Sequence, residues 1–281
     1  MNLISENEIK NEIEEVTKSS KPNKYKMQVN YPYNSLEDKG FELLLYSLVN
    51  AKKPNIKGIS YNKCGLMAGT GDKGRDIVLL KDNNIVTVIQ CKKYVNNLEK
   101  PDIAKEVIKF VLHSIQDKVD NIDYSQFTYI FAVSTGINTE SNNLIMQFNS
   151  NITKEKDFEK WTNDVIDSYK RLKISYEEVS DKLTEILTKI KVDKLLPIEI
   201  TEMINEESQI ITTFFDVDKV ISLKDFEDIV YGKNLNISDF LDTYKKSVLN
   251  ISPGLTFLAF QLIESPRRNI FILYLLIQHL F

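Results

Sequence analysis

Apolar and polar positions alternate along this chain with two different periods, and the switches between them mark out its elements. Residues 3–18 set Ile and Val among Glu and Lys at helical spacing, and SSKPNKYK and NYPYN then break the pattern with Pro, Asn and Ser. A helix and a linker are expected over residues 1–35. From Leu36, LEDKGFELLLYSLVN places Phe41, Leu44, Leu45, Leu48 and Val49 on one stripe, which predicts a core-packed helix with Glu42 at the stripe's border. A short strand near Ile56–Tyr61 and a glycine-rich loop, CGLMAGTGDKG, follow. Arg75–Leu80 and Ile85–Cys91 read as two strands joined by the turn KDNN. Proline and an acid at Pro101 and Asp102 then open a long amphipathic helix to about Lys118.

Next comes FTYIFAVST, a β-branched and aromatic run from Phe127, and NTESNNLIMQF has the Thr/Asn start and apolar period of a helix. The order helix, hairpin, helix, strand, helix predicts a three-layer α/β domain with a central mixed sheet over residues 36–150. The long helix after Cys91 allows the next strand to lie parallel. Beyond residue 151, WTNDVIDSYKRL, YEEVSDKLTEILTKI, SLKDFEDIV and SDFLDTYKKSVL all read as helices, and Ser222 and Asp225 have capping-box spacing. A mostly helical region, 151–281, is expected to serve a partner or a regulatory role. The apolar run Ile270–Phe281 falls short of a membrane span and follows the polar break ESPRRN, so it reads as a buried or partner-facing helix. A raw apolar end left by truncation is the alternative.

Composition narrows the class. At 281 residues, 42% hydrophobic and 27% charged, the chain can bury a sizeable core. Its two cysteines, Cys64 and Cys91, make neither a disulfide framework nor a metal-site spacing, and MNLISENEIKNEIEEV has no secretory pattern; cytoplasm is the expected compartment, without a membrane. The net charge of −4 argues against a uniformly basic nucleic-acid binder. Charge is nevertheless segregated. Residues 51–100 hold ten Lys/Arg against four Asp/Glu, an excess of six that leaves about −10 for the rest of the chain. A polyanion would meet this middle segment.

The chemistry lies in that segment. Strand alternation puts Val86, Val88, Gln90 and Lys92 on one face of IVTVIQCKK, with Ile85, Thr87, Ile89 and Cys91 on the other. Asp76 shares a face with Val78 and Leu80 in the preceding strand, and an even hairpin register would set it across from Gln90. One carboxylate, one amide oxygen, the Cys91 carbonyl and one ammonium would then converge. Hard oxygen donors suit Mg²⁺, with Mn²⁺ able to substitute. Such an ion activates water and stabilises charge on a phosphoryl oxygen, while a lysine orients the nucleophile, so phosphodiester hydrolysis is the expected reaction. Either feature alone reads as a turn former or a solvated strand end. Buried together without partners, the polar groups would cost about 1–3 kcal/mol each, which favours a ligand.

Asp76 followed by Gln90-Cys91-Lys92 resembles the D…(E/Q)xK core of the PD-(D/E)xK restriction-endonuclease-like superfamily, in the Gln-containing form of Mrr-like nucleases. GFELLLYSLV is similar to that group's first helix, GDKGRDIVLL to its approach to the Asp, and FAVSTGINTESNNL to its next strand, turn and helix, so the likeness spans roughly residues 36–150. The resemblance implies Asp76 as central metal ligand, Gln90 as second ligand, Lys92 as catalytic lysine, and Glu42 as a helix-borne acid that helps hold metal or position the lysine. Glu37, in the first turn, is the rival acid. Lys73, Arg75 and Lys93 are the cations expected at nucleic-acid phosphates. The resemblance implies a Mg²⁺-dependent endonuclease on DNA, double-stranded by expectation, in restriction or anti-phage defence, joined to an oligomerising or partner-binding module.

A catalytically inactive DNA-binding or assembly module and an RNase with the same core are the competing readings. His113 and His279 lack second ligands at metal spacing and read as packing or surface. AGTGDKG lacks the ending and helix of a phosphate-binding P-loop. The tyrosines of YPYN and the Lys93-Tyr94 pair could stack on bases, although linker aromatics more often cover a core edge.

Overall fold

A computed structural model of the chain describes residues 3–18, 21–24, 30–51, 55–67, 73–93, 97–119 and 121–217. Helix α1 (Glu6–Thr17) starts where Ser5 and Glu8 cap each other, the Glu8 carboxylate accepting from the Ser5 N–H at 2.9 Å. Helix α2 (Asp38–Ala51) buries Phe41, Leu44, Leu45 and Leu48 as the stripe predicts, and also Leu43 and Tyr46, because α1 crosses its outer side. Gly40 permits that crossing: a Cβ there would meet Val16 at 3.2 Å.

Five strands form one sheet in sequence order: β1 (Lys63–Leu66), β2 (Ile77–Lys81), β3 (Asn84–Lys92), β4 (Thr128–Val133) and β5 (Lys191–Leu195). The first two pairings are antiparallel and the last two parallel, giving the expected mixed sheet. The β2–β3 turn is made by Asp82 and Asn83 at φ 51° and 67°, a two-residue hairpin whose left-handed residues match the strand twist. Helix α3 (Lys100–Gln116) with Pro101 in its first turn carries the chain across to β4. Helix α4 (Thr139–Met146) follows β4, with the Asn138 side chain accepting from the Ser141 N–H at 2.8 Å.

The sheet separates two apolar clusters. Ile77, Leu79, Ile89 and Ile130 pack with α2, whereas Val78, Val88, Tyr129, Phe131 and Val133 pack with α3. Helices α5 (Phe158–Ser168) and α6 (Tyr176–Leu187) cover the far side of α3 with Trp161, Val165, Val179 and Leu183. Buried on both sides, α3 carries charged side chains into the interior.

Two sequence expectations meet differences here. The glycine-rich loop begins with strand: Cys64, Gly65 and Leu66 pair with Leu79, Val78 and Ile77. Glycine suits this strand because a Cβ on Gly65 would lie 2.6 Å from Leu3. The domain also does not end near residue 150. KVDKL, too charged to read as a strand, pairs parallel with β4 as an edge strand, where exposed charges suppress further pairing. Helices α7 (Pro197–Asn205) and α8 (Ser208–Phe214) return to the α2 face with Ile200, Ile204, Phe214 and Phe215. Tyr33 and Tyr31 of the expected linker pack there too, with Tyr31 4.8 Å from the Phe215 ring and the Tyr33 hydroxyl 2.8 Å from Thr201 Oγ1. They cover core rather than offer faces to bases. Met1–Asp218 is one compact unit, so 36–150 is the centre of a larger domain. Tyr94, Ser222, Asp225, His279 and the apolar run 270–281 lie outside the described residues. Among the described residues no helix is long and apolar enough to cross a membrane.

Candidate active site

The approach to Asp76 is set by backbone. Lys73 and Gly74 take left-handed φ values of 54° and 76°, and the Gly74 carbonyl accepts from the Tyr129 hydroxyl at 2.6 Å. A Cβ on Gly74 would meet the Glu106 carbonyl at 3.0 Å and Lys109 Cε at 3.1 Å, so only glycine lets this loop lie against α3 without strain.

Ile77 faces Ile89 and Val78 faces Val88 across the hairpin, the register that sets Asp76 beside Gln90. Gln90 Nε2 donates to Asp76 Oδ2 at 2.7 Å, and the Cys91 N–H donates to the same oxygen at 2.6 Å. The backbone N–H of Asp76 donates to Ile89, and its carbonyl accepts from Met67. Asp76 thus closes the ladder with its side chain. Strict alternation fails only near the turn, where a register shift between Leu79 and Leu80 pairs Leu80 with Ile85. Ile85 consequently joins the α3 cluster and Val86 the α2 cluster, opposite to simple alternation.

Asp76 is 5% exposed and Gln90 3%. The Gln90 Oε1 atom is buried with no hydrogen-bond partner among the described residues. An orphaned buried acceptor costs about 1–3 kcal/mol, so Gln90 Oε1 calls for a partner such as a water or a cation.

Lys92 follows on the same face as Val88 and Gln90. Its Nζ donates to Glu106 Oε1 of α3 at 2.7 Å, while Lys109 Nζ lies 2.6 Å from Glu106 Oε2 and 5.3 Å from the Tyr169 ring centre. Cys91 faces the other way. Burial, then the charges of Asp76 and Glu42, push its thiol pKa well above the usual value, with Lys92 opposing.

Glu42, the expected helix acid, approaches from the other side of the sheet. Its helix packs on the Ile77 and Ile89 face, opposite Gln90 and Lys92; Glu42 lies 3.5 Å from Lys39, and its charge is felt at Cys91. The acid at Lys92 is Glu106, which no motif in the sequence singles out; only its half-buried place on α3, three residues before Lys109, could have drawn attention. The rival Glu37 is exposed at the head of α2. Of the three cations expected at phosphates, Lys73 pairs with Asp117 and Lys93 lies 3.4 Å from Asp38, both partly exposed. Arg75 is 7% exposed, and its charge is felt at His113 and Tyr124. His113 is itself buried; desolvation and the Lys73 charge lower its pKa to about 4. It is packing, as its isolation in the sequence suggests.

The donor set fits a hard divalent cation in kind: a carboxylate and an orphaned amide oxygen on one strand pair. It is sparse in charge, since among the described residues no three His, Cys, Asp or Glu side chains cluster as metal ligands.

A family model, Mrr_cat, described as a restriction endonuclease, matches residues 34–128, from the lead-in to α2 through the start of β4. No curated protein and no solved structure matches the chain.

Proposed function

We propose, from the match of residues 34–128 to the Mrr_cat restriction-endonuclease model, that this chain hydrolyses DNA phosphodiester bonds endonucleolytically with a divalent metal. The observation that carries the reading is the buried, unpartnered Oε1 of Gln90 beside the Asp76 carboxylate. Asp76 and Gln90 would hold Mg²⁺, or Mn²⁺ in its place, with Glu42 adding negative field from the opposite face. Bound there, the ion would supply Lewis-acid polarisation of a phosphate oxygen and a more acidic water.

The chain's own residues do the rest. The Asp76 carboxylate is oriented by Gln90 Nε2 and the Cys91 N–H, so it presents a fixed direction to the scissile phosphate. Lys92, one residue beyond Cys91, offers its ammonium to the charge that develops on the phosphoryl oxygens and orients the attacking water. Lys73 and Lys93 give the surrounding surface its attraction for the backbone of double-stranded DNA. A cytoplasmic role in restriction or anti-phage defence, with oligomerisation or a partner protein engaged through residues beyond 218, completes the proposal.

Supercoiled plasmid incubated with Mg²⁺ tests it: wild type should nick or linearise DNA, and Lys92→Ala should not. Equal cutting by both overturns the assignment. One observation favours a second reading, a non-catalytic DNA-binding module: among the described residues no three His, Cys, Asp or Glu side chains cluster as metal ligands. That reading gains if wild type binds plasmid and never cuts it. Competition between labelled DNA and RNA substrates separates the third, an RNase.

A further inference from the structure

Lys92 does not stand alone at the end of β3. Its ammonium and the Glu106 carboxylate are 15% and 16% exposed, and the other Glu106 oxygen is taken by Lys109, whose side chain is 6% exposed. An exposed pair of this kind would contribute little and hold no fixed direction. Here one oxygen is anchored by a buried ammonium lying near Tyr169, so the remaining oxygen has a defined place, and Lys92 is drawn to it. The same turn of α3 meets the loop that leads into Asp76, because Gly74 lies against the Glu106 carbonyl. One helical turn therefore supports both ends of the candidate site.

From this geometry we propose that Glu106 is the positioning residue for Lys92: it holds the ammonium in place, while Lys109 holds Glu106. The proposal rests on the nuclease reading above and extends it to a residue outside the strand motif. Burying a Lys–Glu–Lys triad costs desolvation that an apolar trio would avoid, so its presence beside the candidate lysine favours a role in the site over packing. Losing the carboxylate would leave the Lys92 ammonium free to swing away from the candidate site.

The test uses the full chain, with single-turnover plasmid cleavage, DNA affinity and thermal unfolding of wild type, Lys92→Ala, Glu106→Asp, Glu106→Gln and Glu106→Gln combined with Lys109→Met. The double variant removes both charges of the anchoring pair, so it folds if the single variant fails only from an unbalanced buried cation. Expected are a cleavage loss of about tenfold or more in Glu106→Gln and in the double variant, partial recovery in Glu106→Asp, which keeps the carboxylate, and DNA affinity near wild type. If Lys92→Ala abolishes cutting while the folded double variant keeps the wild-type rate, or if Glu106→Asp cuts no better than Glu106→Gln, Glu106 is merely structural and the proposal fails. If Lys92→Ala cuts like wild type, or wild type does not cut, the nuclease reading fails first, and this one with it.

Discussion

Gln90 gives its amide N–H to the Asp76 carboxylate at 2.7 Å and keeps its own oxygen buried without a partner among the described residues. An amide here does what a second carboxylate could not do in the absence of a cation: it lies against Asp76 without repulsion. Gln90→Glu should therefore lower stability in EDTA by about 1–3 kcal/mol, the cost of a lost hydrogen bond and a buried like-charge contact. Millimolar Mg²⁺ should restore much of it. Thermal unfolding with and without Mg²⁺ measures this, and a variant whose melting ignores the metal would remove Gln90 from the candidate ligand set.

Asp76 serves fold and proposed chemistry together, and two substitutions separate them. Asp76→Ala leaves Gln90 Nε2 and the Cys91 N–H without their acceptor, which should destabilise the domain by about 2–4 kcal/mol. Asp76→Asn keeps an oxygen for those donors and should unfold close to wild type in urea while losing metal-dependent cleavage. Urea titration beside a plasmid assay checks both halves.

Lys93 and Arg75 should behave oppositely. Lys93 is partly exposed, so Lys93→Ala should leave stability unchanged, weaken DNA binding and reduce the slope of log affinity against log salt by about one. Arg75 is buried, and Arg75→Ala should instead lower the melting temperature. Binding isotherms at several salt concentrations, with melting curves, distinguish the two.

His113 predicts a pH dependence of folding. Its folded pKa of about 4 lies below the ordinary 6.5, with Lys73, Lys109 and Arg75 opposing its protonation and Asp117 favouring it. Between those values the unfolded chain takes up a proton that the folded chain refuses. Stability is thus present above 6.5 and falls as pH drops toward 4, by at most about 3 kcal/mol from this group. His113→Leu should flatten melting temperature against pH in that window; an unchanged profile would assign the dependence elsewhere.

The hairpin register shows how far sequence reasoning reaches. Asp76, Val78 and Gln90 could be set on one face from residue spacing, because a two-residue turn and one buried face leave few ways to pair β2 with β3. The bulge at Leu79/Leu80 was hidden, since nothing in IVTVIQ distinguishes a residue that drops out of the ladder from one that stays in it.

Local period and spacing determined the helix α2 stripe, the hairpin, the crossover α3 and the order of residues along β3, for these depend on neighbours within a few positions. Only tertiary packing decided that KVDKL joins the sheet, that Tyr31 and Tyr33 close a core with Phe215, and that Glu106 of α3 meets Lys92. The physical reason is that a helix's face is written in its own sequence, whereas which of its charges reaches a given strand end depends on how that helix is rotated and shifted against the sheet. That placement comes from Gly74 lying against α3 and from α5 and α6 on its far side, contacts that no local pattern encodes.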